Sequence, residues 1–245
     1  MELSLYTKVG ELSEAQAKGK LVVVIDVLRA SSTIVTAVEN GVERIIPVAT
    51  VEDAKRLQPT LGRKDVLIGG EREGRKIEGF DLGNSPLEYT PEAVTGKTLI
   101  LSTSNGTVAI AGCAGAKETV IASFLNLSAV AAYLVSARPK GVAVLCAGNL
   151  GQLAIEDFVC GGLLVDRMDR TTRARLVTND GAAAARALAA AVPDIGEVVR
   201  SSSHGRKLAE LGFSADLDFC AALDRYATVP VAVDGRIAGR EAVRR

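Results

Sequence analysis

The stretch LVVVIDVLRASST, residues 21–33, decides how the chain is read. Its first five residues are an unbroken run of branched apolar side chains, the pattern of a strand covered on both faces. The run ends on Asp26. Residues 31–40 then read as a helix that Gly41 can close in a left-handed conformation. A doubly buried strand that feeds a helix is the first half of a βαβ unit, and the rest of the chain repeats the rhythm.

Strands are predicted at 44–48 and 66–68, the second followed by a polar passage, and at 98–101, 119–122 and 142–146, each of these three followed by a helix, including one over 153–168. Thr50, with Asp53 three positions on, marks a helix start. Further helices are predicted at 182–192 and 203–211. A last strand pair turns at Asp234 and Gly235, because Asp-Gly between apolar residues is a strong hairpin signal. The expected fold is α/β: three α/β/α layers around a mostly parallel, mixed sheet, with the closing hairpin at one edge. No linker or repeat interrupts residues 1–245, so a single domain is expected.

Composition narrows the function. Hydrophobic residues make up 48% of the 245 and charged residues 24%, enough apolar material for a sizeable core. Lys plus Arg and Asp plus Glu both number 29, so no global basic field draws in nucleic acid or an acidic membrane. An anionic ligand must therefore be held by local groups. No apolar run approaches the roughly 20 residues that span a bilayer. The opening MELSLYTKVGELSEAQ lacks the apolar segment of a signal peptide, and a cytoplasmic location is expected. Cys113, Cys146, Cys160 and Cys220 form no CxxC pair, and His204 is the one histidine. That composition argues for free thiols and against a Cys/His zinc site.

Ligands of open α/β sheets bind beyond the carboxyl ends of the strands, and four segments place polar groups there. In the first, Asp26 ends a strand and suits a hard cation such as Mg²⁺. Arg29 can grip a phosphate or sulfonate bidentately, and Ser31 opens the helix with its N–H donors. The purely structural alternative is that Asp26 pairs with Arg29 and caps the turn. Leu28 stands where the DxD pattern of the haloacid-dehalogenase phosphatases needs a second aspartate, so that mechanism is not supported.

The second segment, GGEREGRKIEGFDLGNSPLE at 69–88, opens a polar passage that runs to Thr90. It is long for a loop in a compact domain. Glu71 follows a strand, Arg72, Arg75 and Lys76 add positive charge, and Asp81, Asn84 and Ser85 precede Pro86. In the third, LILSTSNGTVAIAG at 99–112, Ser104, Asn105, Gly106 and Thr107 form a neutral anion cradle at a helix start. No GK[ST] follows, so it is not a P-loop. Plain capping by Ser104 or Asn105 is the alternative.

The fourth, VLCAGNLGQLAIEDFVCGG at 144–162, makes a tight turn with Gly148 and Gly151 and sets Glu156 and Asp157 in an otherwise apolar helix. Adjacent helical residues diverge by about 100°, so one of the two acids is expected to point inward. Cys146 lacks the following Arg of a CX5R phosphatase loop.

Together IDVLRASST, GE with GFDLGNSP, STSNGT and CAGNLG followed by ED resemble, in order, the signature blocks of the 2-phosphosulfolactate phosphatase family. The tail S-x-H-G-R-K-L-x-x-L-G, DLDFC at 216–220 and VPV at 229–231 resemble it too. The resemblance runs from Leu21 to Val231. It implies a three-layer α/β fold, Mg²⁺ dependence and hydrolysis of 2-phosphosulfolactate to 3-sulfolactate and phosphate, a step of coenzyme M biosynthesis.

On that reading Asp26, Glu71 and one of Glu156 or Asp157, with Asp157 taken as the ligand, position Mg²⁺ against the substrate phosphate. Arg29 and the 104–107 backbone hold the phosphate, with Ser31, Asp81, Asn84, Ser85, Gly148 and Gly151 as further substrate contacts. Arg72, Arg75 or Lys76 takes the second anionic end, and water attacks. His204 either protonates the leaving group or makes a structural hydrogen bond. The expected partner is a small anionic phosphoester, and a homodimer packed through the apolar helix 182–192 is expected on base rate. A non-catalytic binder of phosphorylated metabolites would use the same cradles without the metal acids. A nucleotide-dependent transferase would need a Walker loop or a well-placed GxGxxG, and the chain has neither.

Overall fold

The computed structural model describes residues 1–62, 65–172 and 175–240. In chain order the strands are β1 (Glu2–Tyr6), β2 (Leu21–Ile25), β3 (Arg44–Pro47), β4 (Val66–Arg72), β5 (Arg75–Lys76), β6 (Thr98–Ser102), β7 (Glu118–Ala122), β8 (Gly141–Cys146), β9 (Val177–Thr178), β10 (Val229–Val233) and β11 (Arg236–Arg240). They form one sheet in the order β5-β4-β6-β3-β11-β10-β7-β2-β8-β1-β9.

The helices are α1 (Glu14–Ala17), α2 (Ala30–Glu39), α3 (Val51–Leu57), α4 (Pro91–Val94), α5 (Gly106–Ala111), α6 (Leu127–Ala137), α7 (Ile155–Thr171), α8 (Asp180–Ala191), α9 (Ile195–Ser201), α10 (Ser203–Glu210) and α11 (Ser214–Cys220). Among the described residues, no helix is long and apolar enough to cross a membrane.

All five residues of β2 are buried, as its continuous apolar run requires. Leu21, Val23 and Ile25 pack with Val130 of α6 and Val159 of α7 on one face. Val22 and Val24 pack with Ile34 of α2 and Ala109 of α5 on the other. The result is a three-layer α/β/α architecture with a mostly parallel, mixed sheet. The helix start read at Thr50 is a side-chain cap, with Thr50 Oγ1 accepting the Asp53 amide at 3.0 Å.

The closing hairpin is not at an edge. β10 pairs antiparallel with β7, and β11 pairs antiparallel with β3. The hairpin therefore sits mid-sheet, between a parallel block of β4, β6 and β3 and another of β7, β2, β8 and β1. The physical reason is burial. Val229, Val231 and Ile237 are all buried, and an edge position would leave backbone groups unpaired beside them. The β3 junction is narrow, with Ile237 opposite Ile45 as its register pair.

β4 also runs further than predicted, through Glu71 to Arg72, so Glu71 lies within the strand rather than after it. Gly70 makes this extension feasible. Its φ is +150°, and a Cβ there would stand 2.1 Å from the Ser102 carbonyl oxygen of β6. Glu73 and Gly74 then turn the chain into β5, so the polar passage begins as a short hairpin. The apolar face of α8, with Ala182, Ala185 and Ala189, is buried in the same core as α7. That packing is within the chain.

Candidate active site

The carboxyl ends of β2, β4, β6 and β8 open onto one cavity of about 80 Å³. Four strands separate β6 from β2 in the sheet, yet the turns after both strands line that cavity. The start of α5 bridges the distance. A Cβ on Gly106 would stand 2.4 Å from the Ala30 Cβ and 2.7 Å from Asp26 Oδ2, so only glycine lets α5 close on the start of α2. The 103–105 turn is thereby set beside Asp26.

Asp26 is 5% exposed and lines the cavity. Its Oδ1 accepts the Ala30 amide at 3.3 Å, a long contact that leaves acceptor capacity free. Burial pushes its carboxyl up to about 7; the Glu71 and Glu156 charges add to the rise, while the Ala30 amide and Arg29 oppose it. Ser31 Oγ accepts the Asp26 amide at 2.9 Å and donates to the Val24 carbonyl at 3.4 Å. That hydroxyl serves the chain's own backbone and does not line the cavity.

Arg29 pairs not with Asp26 but with Asp216 of α11. Its Nη1 lies 2.7 Å from Asp216 Oδ2, and both side chains are buried. Nη2 donates to the Gly74 carbonyl at 2.7 Å, and the guanidinium lies 4.2 Å above the Phe213 ring centroid. Arginine has five N–H donors, so those left over can face the cavity that Arg29 lines. Ser85 Oγ donates to Asp216 Oδ1 at 2.7 Å, which makes Ser85 a support for Arg29. Asp216 lies in the DLDFC block, where its residue type alone does not reveal the partner.

Glu71 accepts the Gly74 amide on Oε2 and the Ser104 amide on Oε1, both at 2.8 Å, and lines the cavity. α5 is capped by a reciprocal pair rather than by Ser104 or Asn105. The Thr103 amide donates to Thr107 Oγ1 and the Thr107 amide to Thr103 Oγ1, each at 3.0 Å. Ser104 and Asn105 line the cavity, while Thr107 is not in its lining. Two of the four amides read as an anion cradle are thus spent, and those of Asn105 and Gly106 remain.

Both neighbouring acids of α7 are buried, which corrects the expectation that only one points inward. Asp157 Oδ1 accepts the Val27 amide at 2.8 Å and Oδ2 the Gly148 amide at 3.1 Å. It ties the turns after β2 and β8 together and does not line the cavity. Burial, then the charges of Asp26 and Glu156, hold its carboxyl well above the ordinary range. Glu156 Oε1 lies 3.7 Å from His204 Nδ1, beyond hydrogen-bond reach. Burial, followed by Arg29, lowers the His204 imidazole to about 4, so the ring is neutral at pH 7 and the contact is not an ion pair.

The remaining candidates divide cleanly. Asn84 lines the cavity, and its Oδ1 is buried with no hydrogen-bond partner among the described residues. Asp81 is exposed and accepts the Ile68 amide at 2.8 Å, away from the cavity. Gly148 and Gly151 frame the turn, but Asn149 and Leu150 between them reach the cavity. Arg72 is committed to Ser102, donating to Oγ at 2.9 Å, and Arg75 and Lys76 are exposed on β5 outside the lining. Lys207, which the residue pattern did not single out, lines the cavity instead. Cys146 is fully buried with its thiol pushed well above the usual value by desolvation, which removes it as a nucleophile.

The donor set bears on the Mg²⁺ that the resemblance implies. Mg²⁺ is commonly held by one or two carboxylates and completed by water and substrate phosphate. Asp26 and Glu71 fit that pattern. Among the described residues no three His, Cys, Asp or Glu side chains gather around a metal position, and Asp157 does not reach the cavity. The charge of Asp26, Glu71, Glu156 and Asp157 is concentrated in a buried region, as the raised carboxyl of Asp26 records. A divalent cation would offset it, and Asn84 supplies an additional unpartnered oxygen.

A sequence profile of the family described as 2-phosphosulpholactate phosphatase matches residues 6–235. A protein of Clostridium acetobutylicum named as a probable 2-phosphosulfolactate phosphatase is 41% identical, over 97% of this chain and 100% of its own length. One from Thermotoga petrophila with the same name is 45% identical over 87% of this chain and 89% of its own. Another, from Caldanaerobacter subterraneus, is 39% identical over 96% and 97%. With the acids, arginine and backbone turn assembled at the strand tips, these similarities show that the chain belongs to the 2-phosphosulfolactate phosphatase family of phosphomonoesterases.

Proposed function

We propose that the protein hydrolyses 2-phosphosulfolactate to 3-sulfolactate and phosphate, with Mg²⁺ held by Asp26 and Glu71. The observation that carries this reading is the meeting of Asp26, Glu71, Arg29 and the 103–105 turn in one cavity, although they come from strands far apart in the sheet. Mg²⁺ bound there would offset charge on the transferring phosphoryl group.

The chain's own groups supply the rest. Arg29, held rigid by Asp216, Gly74 and the Phe213 ring, opposes negative charge on the phosphoryl oxygens. The amide of Asn105, which lines the cavity, orients the same group. Water is the attacking species, because Cys146 is sealed in the core and Ser31 is turned to the backbone. The test is release of inorganic phosphate from 2-phosphosulfolactate with Mg²⁺ or with EDTA. Release with Mg²⁺, loss in EDTA and recovery on adding Mg²⁺ are expected. No release with Mg²⁺ overturns the activity; full release in EDTA overturns the metal requirement alone.

A further inference from the structure

We infer that Lys207 of α10 receives the second anionic group of the substrate and so selects short phosphomonoesters with another strong acid on a nearby carbon. The inference rests on the phosphatase reading above and adds the residue that sets its specificity.

Three basic side chains line the cavity: Arg29, His204 and Lys207. Arg29 is committed to Asp216, Gly74 and the phosphate position. His204 is neutral at pH 7. Lys207 is exposed, and among the described residues its ammonium makes no ion pair or hydrogen bond. It is therefore the cation still available to a ligand. Its charge is felt at His204, where it helps depress the imidazole, which places it close to that ring. Residues three apart on a helix share a face, so α10 presents His204 and Lys207 together.

The platform under them is rigid. Leu208 is buried in the core, and a Cβ on Gly205 would stand 1.9 Å from the Val199 carbonyl oxygen of α9. α10 is thus clamped to α9, and Lys207 reaches over the cavity from a fixed base. A lysine ammonium is a compact point charge on a flexible stem, suited to a sulfonate or a carboxylate without demanding bidentate geometry.

The experiment compares wild type, Lys207→Ala and Lys207→Arg on three esters: 2-phosphosulfolactate, 2-phospholactate and glycerol 2-phosphate. One charge-assisted contact predicts a rise of about tenfold in KM of Lys207→Ala for 2-phosphosulfolactate, with kcat little changed. Glycerol 2-phosphate, which has no second anion, should stay within about twofold. Lys207→Arg should keep most of the wild-type KM, because it keeps the charge. A parallel KM rise with 2-phospholactate identifies the carboxylate as the anion held; its absence identifies the sulfonate. Equal losses on all three esters, or none on 2-phosphosulfolactate, overturn the inference. If wild type hydrolyses none of them, the phosphatase reading falls separately. Calorimetry with 3-sulfolactate then decides Lys207, since weaker binding by Lys207→Ala supports it and equal or absent binding overturns it.

Discussion

Each half of the sheet is braced at its carboxyl edge by one buried carboxylate that accepts two backbone amides. In the half containing β4 and β6, Glu71 takes those of Gly74 and Ser104. In the half containing β2 and β8, Asp157 takes those of Val27 and Gly148. The hydrogen bonding is alike, but the surroundings are not. Glu71 stands on a strand and borders the cavity, whereas Asp157 reaches in from α7 and is sealed off from it. A carboxylate saturated by amides is a strut wherever it sits. It takes part in chemistry only if a ligand can reach its remaining lone pairs. Asp26, with a single long amide contact and a place in the lining, is the acid least committed to structure.

The sharpest way to break this comparison is at Asp26. Asp26→Asn removes the charge that faces the ester and should lower kcat/KM on the order of 10²- to 10³-fold, with the circular dichroism spectrum unchanged. Activity within a few-fold of wild type would remove Asp26 from the site. Next comes the pair of struts. Asp157→Asn turns an amide NH₂ toward one of two backbone donors and should cost about 2–3 kcal/mol, a fall of roughly 5–10 °C in Tm, with kcat near wild type at low temperature. Glu71→Gln should do the reverse, costing about 10- to 100-fold in activity with a smaller change in Tm. If the two variants behave alike, access to the cavity is not what separates these acids.

A pH series sharpens the same point. Asp26 is raised from 3.8 to about 7, and Asp157 and Glu156 move in the same direction. The folded protein keeps protons that the unfolded chain has lost, so Asp26 lowers stability as pH rises from about 4 to about 7, and the other two act with the same sign. His204, lowered from 6.5 to about 4, acts with opposite sign, because the unfolded chain binds a proton there that the folded ring refuses. The Asp26 contribution is isolated by difference. In EDTA, Asp26→Asn should be more stable than wild type at pH 8, on the order of 4 kcal/mol, and the gap should close toward pH 4. Denaturant midpoints at pH 8, 6 and 4 measure it; a gap that does not change with pH would show that burial of the charge is not its cause. The smallest effect belongs to Ser31→Ala, which removes the acceptor for the Asp26 amide and should cost about 1 kcal/mol in unfolding experiments, with only a modest loss of turnover.

Much of the fold was legible because its signals are local. The predicted helix at 31–40 appears as Ala30–Glu39, the helix at 203–211 as Ser203–Glu210, and the strand at 142–146 within Gly141–Cys146. Hydrophobic period and capping chemistry act within a few residues, and they read true. Short elements escaped: β1, α9 and α11 span only five to seven residues, too few for a period to stand out. In the site, Asp26, Arg29, Glu71, Ser104 and Asn105 were found from their places after apolar runs and Asn84 from the polar passage ahead of Pro86, and all line the cavity. Asp216 and Lys207 were not singled out. The carboxylate of Asp216 meets Arg29 across 187 residues of chain, and Lys207 looks like any exposed helical lysine.

From the sequence alone followed an α/β chain whose polar groups gather at strand ends, because burial of a continuous apolar run and the onset of the next helix are written in adjacent residues. Only the tertiary structure decided that the last hairpin fills the middle of the sheet, that α5 closes on Asp26 over Gly106, and that one buried acid faces the cavity while its counterpart does not. Those outcomes depend on packing between segments far apart in the chain. There a single missing Cβ or a shared amide sets the distance, and no local pattern records it.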